Sequence, residues 1–135
     1  MYLVEAPNIA EVARAGQFVM LRLHKKGERI PLTIVATEQA VAGVRLVIQE
    51  VRKTTCEMVA GFDVEDGLFD FVGPLGEPSE ISRYGTTVCI GGGVGIAPLY
   101  PIARALKIAG NRVIAILGAR DADSLLRAGI HRCVR

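Results

Sequence analysis

The chain has 135 residues, of which 50% are hydrophobic and 22% are charged, and its formal net charge is +2. This length suits one ordinary domain or two very small ones, and the composition is that of a core-forming protein, not of a disordered chain. The net charge is too small to indicate nucleic-acid binding. The sequence has no run of about 18 apolar residues, so no membrane-spanning helix is predicted. Because no basic region followed by a long apolar run opens the chain, we expect a cytoplasmic location.

The first part of the chain predicts β structure. Most of the candidate strands are runs of apolar and β-branched residues, and the fourth alternates apolar with polar side chains. Pro31 lies early in the third run, which is typical of an edge strand or of the start of a strand. Short strands at close spacing indicate a small β-barrel or sandwich, so we expect a barrel domain over residues 1–80. The candidate strands cover residues 2–5, 17–23, 30–36, 44–51 and 67–72, and a turn follows at residues 73–76.

A short helix is predicted at residues 55–60, between the last two of these strands. Thr54 or Thr55 can cap its N-terminus, because a hydroxyl oxygen accepts a hydrogen bond from an unpaired N–H of the first turn. Gly61 can end the helix. The same hydroxyls beside a helix N-terminus also form an anion site, and capping and anion binding stay open as alternatives.

From residue 81 onward the pattern changes to an α/β pattern. The predicted strands cover residues 86–90 and 113–117, and the predicted helices cover residues 97–109 and 124–128. Gly110 fits the position after a helix, and Asp123 fits a helix cap. The second strand is continuously apolar, as parallel strands buried on both faces are. Two parallel strands bury little and leave an unpaired edge, so we expect residues 81–135 to form an incomplete α/β domain of a longer architecture.

The turn between the strand at residues 86–90 and the helix after it is the most informative stretch, and it reads CIGGGVGIAPL. Glycines let a backbone approach a phosphate closely, and the unpaired N–H groups of the first helical turn point at it. Pro98 and Pro101 fall near that turn, where a missing N–H costs little. We therefore predict a dinucleotide-phosphate site, with a plain strand-to-helix turn as the alternative, since the spacing departs from G-x-G-x-x-G. The predicted cradle consists of Gly91, Gly92, Gly93 and Gly95.

The cysteines and histidines predict no metal centre. Cys56, Cys89 and Cys133 form no C-x-x-C pair, and their odd number argues against a disulfide framework. Cys89 lies in an apolar strand, where we expect a core position. His24 and His131 stand apart in the sequence from acidic or thiol clusters and are interpreted as surface residues.

Taken with these two regions, the string G-x-G-x-G-I-A-P resembles the pyridine-nucleotide motif of ferredoxin–NADP reductase-type flavoproteins. Three further strings look closest to one branch of that family, and they are GQFV at 16–19, ERIPLTI at 28–34 and FVGPLG at 71–76. The branch contains the small subunit of NADH-dependent reduced ferredoxin:NADP oxidoreductase, also called the sulfide dehydrogenase small subunit. The electron-transfer subunit of dihydroorotate dehydrogenase is a near relative. The resemblance extends to Arg120, and the family's further nucleotide-domain strands and cysteine-rich 2Fe-2S segment have no counterpart in this sequence.

The resemblance implies FAD in the barrel. Thr33 would donate a hydrogen bond near the N5 and O4 edge of the flavin, and Pro31 and Leu32 would lie beside it. Arg29 would pair with the pyrophosphate, because a guanidinium fork suits phosphate oxygens. However, Arg29 lies four residues before Thr33 where the family pattern has three, and Ile30 takes the expected arginine position. A solvated turn charge is therefore the alternative for Arg29.

Two further FAD contacts are implied after the fourth strand. The backbone of Val47, Ile48 and Gln49 would line the flavin, and Thr54 and Thr55 would correspond to a phosphate contact. On the nucleotide side, Arg120 follows the second strand of the α/β domain, where adenosine-ribose recognition commonly lies. An arginine at this point favours the 2′-phosphate of NADP, whereas Asp121 beside it disfavours that phosphate. NAD and NADP therefore stay open as alternatives.

The implied function is that of an FAD-dependent electron-transfer subunit. It would exchange hydride between NAD(P)H and flavin, a reaction that depends on holding two rings together and needs no side-chain acid or base. Electrons would pass to an iron–sulfur centre or a partner flavoprotein in a larger subunit, or to ferredoxin. The alternatives are an electron-transfer subunit of dihydroorotate dehydrogenase and a flavin-binding module without activity of its own.

Overall fold

The computed structural model describes residues 1–49, 53–61 and 67–120, which form a curled antiparallel sheet and a small parallel β/α portion. Two short 3-10 turns, Gln39–Val41 and Gly93–Gly95, connect neighbouring elements. In chain order the strands and helices are β1 (Tyr2–Glu5), α1 (Pro7–Ala10), β2 (Phe18–Arg22), β3 (Ile30–Glu38), β4 (Gly43–Leu46), α2 (Lys53–Gly61), β5 (Asp70–Leu75), β6 (Thr86–Gly92), α3 (Ile96–Ile108) and β7 (Arg112–Gly118).

The antiparallel sheet has the strand order β1-β4-β3-β2-β5. Its register shifts between Ile34 and Ala36 in β3 and between Phe18 and Met20 in β2, and such bulges bend and twist a sheet. In the described part of the chain β1 and β5 are not paired with each other, so the sheet is an open half-barrel and not the closed barrel predicted.

Three strand boundaries differ from those predicted. The fourth strand ends at Leu46, five residues early, and the last strand is displaced to Asp70–Leu75. The predicted turn at 73–76 is therefore mostly strand, in which the cis peptide Gly73–Pro74 lies at the bulge opposite β2. Pro31 belongs to a central strand, but β4 pairs with β3 only from Ile34 onward. The prediction that Pro31 lies at the start of a strand is thus confirmed, and the alternative that it lies in an edge strand is wrong.

Two apolar clusters fill the concave side of the curled sheet. Leu32 and Phe71 pack against both clusters and join them into one core. The first cluster lies under α1 and consists of Ile9, Ala10, Val19, Ile34, Val44 and Leu46. The second includes one residue from α2 and consists of Leu21, Leu23, Ile30 and Met58. Burial of a large aliphatic side chain contributes about 1.5–3 kcal/mol, so these clusters supply the main stabilisation of the sheet.

In the parallel portion, α3 covers one face of the two-stranded sheet β6–β7. Cys89 on the covered face is buried, as predicted. The opposite face is exposed and carries Val88, Ile90, Ile114 and Ile116, so the prediction of strands buried on both faces is wrong for the described residues. The helix begins at Ile96, one residue before its predicted start.

Pro101 lies in the second turn of α3. This position is beyond the first-turn N–H groups that lack an intrahelical partner, so the proline removes a helical hydrogen bond. Pro101 therefore falls near the unpaired turn, as expected, but its missing N–H does cost a helical hydrogen bond.

The connector between the two sheets is held to the antiparallel sheet at residues 76–79. Gln17, which is buried, donates from Nε2 to the carbonyl oxygen of Gly76 at 2.9 Å. The N–H of Ser79 donates to the carbonyl oxygen of Ala15 at 2.9 Å. Gly16 has φ +94°, and a side chain there would collide with Ser79, so only glycine fits this close approach.

The other end of the connector is held to the parallel portion by the side chain of Asn111, which is also buried. Its Oδ1 accepts hydrogen bonds from the N–H groups of Tyr84 and Gly85 at 2.6 and 3.0 Å. Its Nδ2 donates to the carbonyl oxygens of Ser82 and Leu106 at 2.9 and 2.8 Å. All four hydrogen-bonding positions of the amide are therefore used.

Candidate functional site

The glycine-rich turn joins β6 to α3 and has two different kinds of glycine. A Cβ on Gly91 would come within 2.8 Å of Leu99 Cδ2, so this glycine permits close strand–helix packing. Gly93 has φ +55°, and the space where a Cβ would stand is open at both Gly93 and Gly95. The backbone of the turn is thus accessible to a bound group, as a phosphate cradle requires.

The N-terminus of α3 makes the turn suitable for an anion. No side chain caps this end, and Gly95 is the N-cap residue. Pro98 is the third residue of the helix and has no N–H to satisfy. A helix carries about half a positive charge at its N-terminus, so an anionic group there is stabilised by the helix and by its unpaired N–H groups.

Arg120 lies at the same end of the parallel sheet as the glycine turn. Gly92 pairs with Gly118 at the carboxyl ends of β6 and β7, and Arg120 follows two residues later with an exposed side chain. Gly92 itself approaches Gly118, with 3.5 Å between its Cβ position and the carbonyl oxygen. The predicted diphosphate and ribose contacts therefore belong to one edge of the sheet.

The predicted flavin contacts begin in the first half of β3. Pro31 is exposed, and Thr33 is half-buried and pairs with Phe18 of β2. The side chain of Leu32 packs into the core, which leaves its backbone as the part able to face a ligand. Because β3 contacts α3, the strand with Thr33 and the helix after the glycine turn lie directly against each other.

Arg29 is ion-paired in this structure. Its Nη2 lies 3.2 Å from Oδ2 of Asp70, and Arg22 pairs with the same oxygen. Burial raises the pKa of Asp70, but hydrogen bonds from Arg29 and Arg22 and the charges of both guanidinium groups lower it further, so this pKa lies below its ordinary value. Arg29 is therefore a largely exposed turn residue, 62% accessible, that also has a carboxylate partner.

Thr54 is also engaged by a side chain of the chain itself. Because α2 begins at Lys53, Thr54 and Thr55 lie within its first turn, and the prediction that either is the N-cap is wrong. Thr54 is buried, and its hydroxyl donates to Glu28 Oε1 at 3.1 Å. Glu28 precedes Arg29 in the chain. Arg29 and Thr54, both predicted to contact FAD phosphates, therefore lie near each other. A carboxylate of the chain, however, already contacts this first turn.

The segment after β4 gives weaker indications. Val47 and Ile48 are half-buried, and Gln49 is exposed. Ile48 packs against the second core cluster, and none of the three residues belongs to a strand. Gln49 is the exposed residue of the three, and the backbone contact of this segment with flavin stays a prediction.

Several residues that shape the site were not predicted from the sequence. Gln17 and Asn111 are buried amides whose hydrogen-bond partners are distant in the chain. The sequence feature that could have revealed them is a polar residue within or beside an apolar run. Asp70 was likewise a charged residue in a strand. His24 is a surface residue, as predicted, and its Nε2 lies 2.8 Å from Glu57 Oε1.

Residues 121–135 lie outside the described part, and with them the predicted helix at 124–128, Asp121, Asp123, His131 and Cys133. Within the described ranges, no group of three or more His, Cys, Asp or Glu could hold a metal ion. No helix in those ranges is both long and apolar enough to cross a membrane.

Comparison with known proteins gives relatives among electron transfer subunits. The chain is 51% identical over 123 residues to a Thermotoga maritima homologue of the electron transfer subunit of dihydroorotate dehydrogenase B (NAD(+)), covering 91% of this chain and 43% of that protein. It is 32% identical over 129 residues to the electron transfer subunit of dihydroorotate dehydrogenase B (NAD(+)) from Desulforamulus reducens, covering 93% of this chain and 48% of that protein. No protein-family model matches the chain.

Solved structures give the same picture. The structure of an NADH-dependent reduced ferredoxin-NADP oxidoreductase superposes with a TM-score of 0.85 at 51% identity, over 91% of this chain and 44% of that one. An Amycolatopsis cytochrome P450 reductase superposes with a TM-score of 0.60 at 28% identity, over 83% of this chain and 36% of that one. The chain therefore spans about half the length, or less, of the relatives it matches.

Proposed function

Because the chain belongs to the ferredoxin–NADP reductase-type flavoproteins, we propose that it is the FAD-binding electron-transfer module of an oxidoreductase subunit. The observation that carries the proposal is the direct packing of β3 against α3. Each of these two elements leads to one of the predicted coenzyme sites. Their contact supports a flavin site on β3 and a nucleotide site before α3 in one compact unit.

The glycine turn fits the diphosphate of a pyridine nucleotide. Gly93 and Gly95 leave open space, the helix end is uncapped, and Arg120 is exposed at the same sheet edge. The roles proposed for the chain are to hold the diphosphate by backbone N–H groups of the turn and to bind the adenosine ribose through Arg120. NAD and NADP stay open as the nucleotide.

The flavin side fits in part. Thr33 has a half-buried hydroxyl on β3 that would orient the flavin edge, and bound FAD would supply the hydride and single-electron chemistry. Arg29 and Thr54 are placed together, but they contact Asp70 and Glu28. Phosphate binding at this point would require Arg29 to share its guanidinium with two anions and Thr54 to exchange Glu28 for a phosphate oxygen.

The electron acceptor would be an iron–sulfur centre or a flavin in a larger partner subunit, or ferredoxin. The ferredoxin-linked function is favoured by the 51% identity to the NADH-dependent reduced ferredoxin-NADP oxidoreductase chain. The identity to dihydroorotate dehydrogenase B electron transfer subunits supports a second candidate, in which the chain serves dihydroorotate oxidation. Co-purification with a glutamate-synthase-like subunit or with a dihydroorotate-oxidising subunit would separate the two.

The deciding experiment is an absorbance spectrum of the purified protein after incubation with FAD, before and after anaerobic addition of NADH or NADPH. We expect one bound flavin per chain and bleaching of its visible absorbance. A protein that stays colourless contradicts the flavin proposal. A yellow protein that neither nucleotide bleaches supports a flavin-binding module without activity of its own.

Two variants test the proposed flavin contacts, one at the flavin edge and one at the phosphate. Thr33→Val keeps the shape of the side chain and removes its hydroxyl, so flavin should bind with a displaced absorbance maximum and slower bleaching. Glu28→Gln removes the negative charge beside Thr54, and we expect FAD to bind several-fold more tightly because the phosphate meets no competing carboxylate. Unchanged FAD affinity in Glu28→Gln would exclude a phosphate contact at Thr54.

A further inference from the structure

A cleft of about 340 Å³ lies between the curled sheet and α3. One wall is the second half of β3 with the loop before β2, and the other is the C-terminal half of α3. Its volume lies at the lower end of the range of about 300–1,000 Å³ that is typical of small-molecule sites. The lining residues are Ala13, Arg14, Ala15, Ile34, Val35, Ala36, Thr37, Pro101, Arg104, Ala105 and Ile108.

The lining combines an apolar surface with two cations. Arg14 and Arg104 are exposed, and neither guanidinium has an ion pair or a hydrogen-bond partner within residues 1–49, 53–61 and 67–120. None of the lining residues is acidic. The other lining side chains are apolar except Thr37. Two guanidinium groups at one cleft repel each other, and an anion bound between them relieves that repulsion.

The wall that carries Arg14 is fixed by hydrogen bonds. The N–H of Arg14 donates to Gln17 Oε1 at 2.9 Å, and the carbonyl oxygen of Ala15 accepts from Ser79. Because Gln17 is buried, a rearrangement of this loop that breaks the bond from Arg14 would leave the buried amide oxygen of Gln17 without that donor, which is costly. A preformed wall lowers the ordering entropy that a ligand must overcome.

The cleft is separate from the predicted coenzyme contacts. It includes neither Thr33 nor any residue of the glycine turn, and its helical wall begins at Pro101, in the second turn of α3. A ligand here would therefore leave the diphosphate turn free.

We propose that this cleft binds a small amphiphilic anion, a molecule with one carboxylate or phosphate group on a short apolar chain. The anionic group pairs with Arg14 and Arg104, and the chain lies along Ile34, Ala36 and Ile108. A guanidinium binds carboxylate and phosphate in the same two-pronged geometry, so the structure assigns the class and the experiment separates the two head groups. The proposal does not depend on the coenzyme assignment.

The test is a titration of the ¹⁵N-labelled chain, followed by amide chemical shifts. The probes are octanoate, octyl phosphate and octylamine, which share one chain and differ in the head group. We expect at least one of the two anions to shift the amides of Ala15, Ala36 and Ala105 with saturation, and octylamine to bind at least tenfold more weakly. The anion with the lower Kd identifies the head group.

Variants locate the binding. Arg14→Ala combined with Arg104→Ala should weaken the anion about five- to tenfold, and the double lysine variant should retain part of the affinity. Arg112→Ala, an exposed arginine outside the cleft, is the matched control and should leave the Kd unchanged. Ala105→Phe fills the cleft without changing charge and should abolish binding, and its amide spectrum shows whether the fold is kept.

Four results would overturn the proposal. Octylamine binding as tightly as the anions would show an apolar groove without charge selection. An unchanged Kd in the double alanine variant would exclude the arginines, and this result decides the matter even if Ala105→Phe does not fold. Displacement of the probe by added FAD or NADH, or the absence of any saturable shift, would show that the cleft is part of the coenzyme site or is no site.

Discussion

The two sheets of this chain bury their apolar residues to very different extents. In the antiparallel sheet Val44 and Leu46 are 0% exposed, whereas Ile90 and Ile116 in the parallel sheet are 71% and 54% exposed. The first sheet curls over its own core with α1 and α2. The second has, among the described residues, one helix for two faces. Strand hydrophobicity therefore reports a tendency to be buried, while the number of covering elements decides whether burial occurs.

The largest expected effect on stability tests the difference between the two sheets directly. Leu46→Ala removes a fully buried side chain from the first cluster, and we expect a loss of about 2–5 kcal/mol in the free energy of unfolding. Ile90→Ala on the exposed face should change it by less than about 0.5 kcal/mol. Urea unfolding of both variants measures the difference. Equal losses would mean that the exposed face is covered in solution.

A second prediction concerns the amide that holds the connector to the parallel portion. Asn111→Ala leaves the N–H groups of Tyr84 and Gly85 and the carbonyl oxygen of Ser82 without their partner, whereas the backbone N–H at position 111 still donates to Leu106. We expect a loss of at least about 2 kcal/mol in the free energy of unfolding. Asn8→Ala, an exposed asparagine on α1, is the control and should change stability by less than about 0.5 kcal/mol. A neutral Asn111→Ala would show that water replaces the amide.

The glycine turn offers a pair of variants with a smaller effect on stability. Gly93→Ala places a side chain at φ +55° and should lower the free energy of unfolding by about 1 kcal/mol. Gly95 has φ −64°, so Gly95→Ala should be neutral or slightly stabilising. If the turn binds a diphosphate, Gly95→Ala should still weaken NADH binding, which fluorescence titration measures. A stable variant with unchanged binding would move the nucleotide site elsewhere.

The smallest expected effect is a pH dependence from Asp70. Because its pKa in the folded state is lowered, the stabilisation by its ion pairs is fully present above the unfolded-state pKa of about 4 and is lost as the pH falls through the folded-state pKa. Urea midpoints between pH 3 and pH 7 should therefore fall less steeply at the acid end in Asp70→Asn than in the parent chain. Glu80→Gln, an exposed glutamate, is the control. Identical acid slopes in all three proteins would show that the ion pairs contribute nothing.

Much of the fold could be predicted from the sequence because strand and helix periodicity is local. The strand candidates at 2–5, 17–23 and 30–36 and both predicted helices in the described part lie where expected within a few residues. The end of β4 at Leu46 and the continuation of β5 through Pro74 were missed, since both depend on where a neighbouring strand stops pairing. The open half-barrel was missed for the same reason.

The candidate site was predictable in its positions and not in its partners. The glycine turn was recognisable because its chemistry lies in one run of residues. The contacts of Arg29 with Asp70 and of Thr54 with Glu28 join residues more than 25 positions apart, and no local pattern announces them. The same distance in sequence hid Gln17 and Asn111.

The two buried amides have a consequence for anyone who grafts this sheet onto a foreign nucleotide domain. Gln17 belongs to the antiparallel sheet and Asn111 to the parallel portion, and both side chains bind the backbone of the connector between them. A splice point inside residues 76–85 would separate an anchor from the stretch it recognises, whereas a graft that carries residues 76–111 together with the sheet that holds Gln17 keeps both anchors.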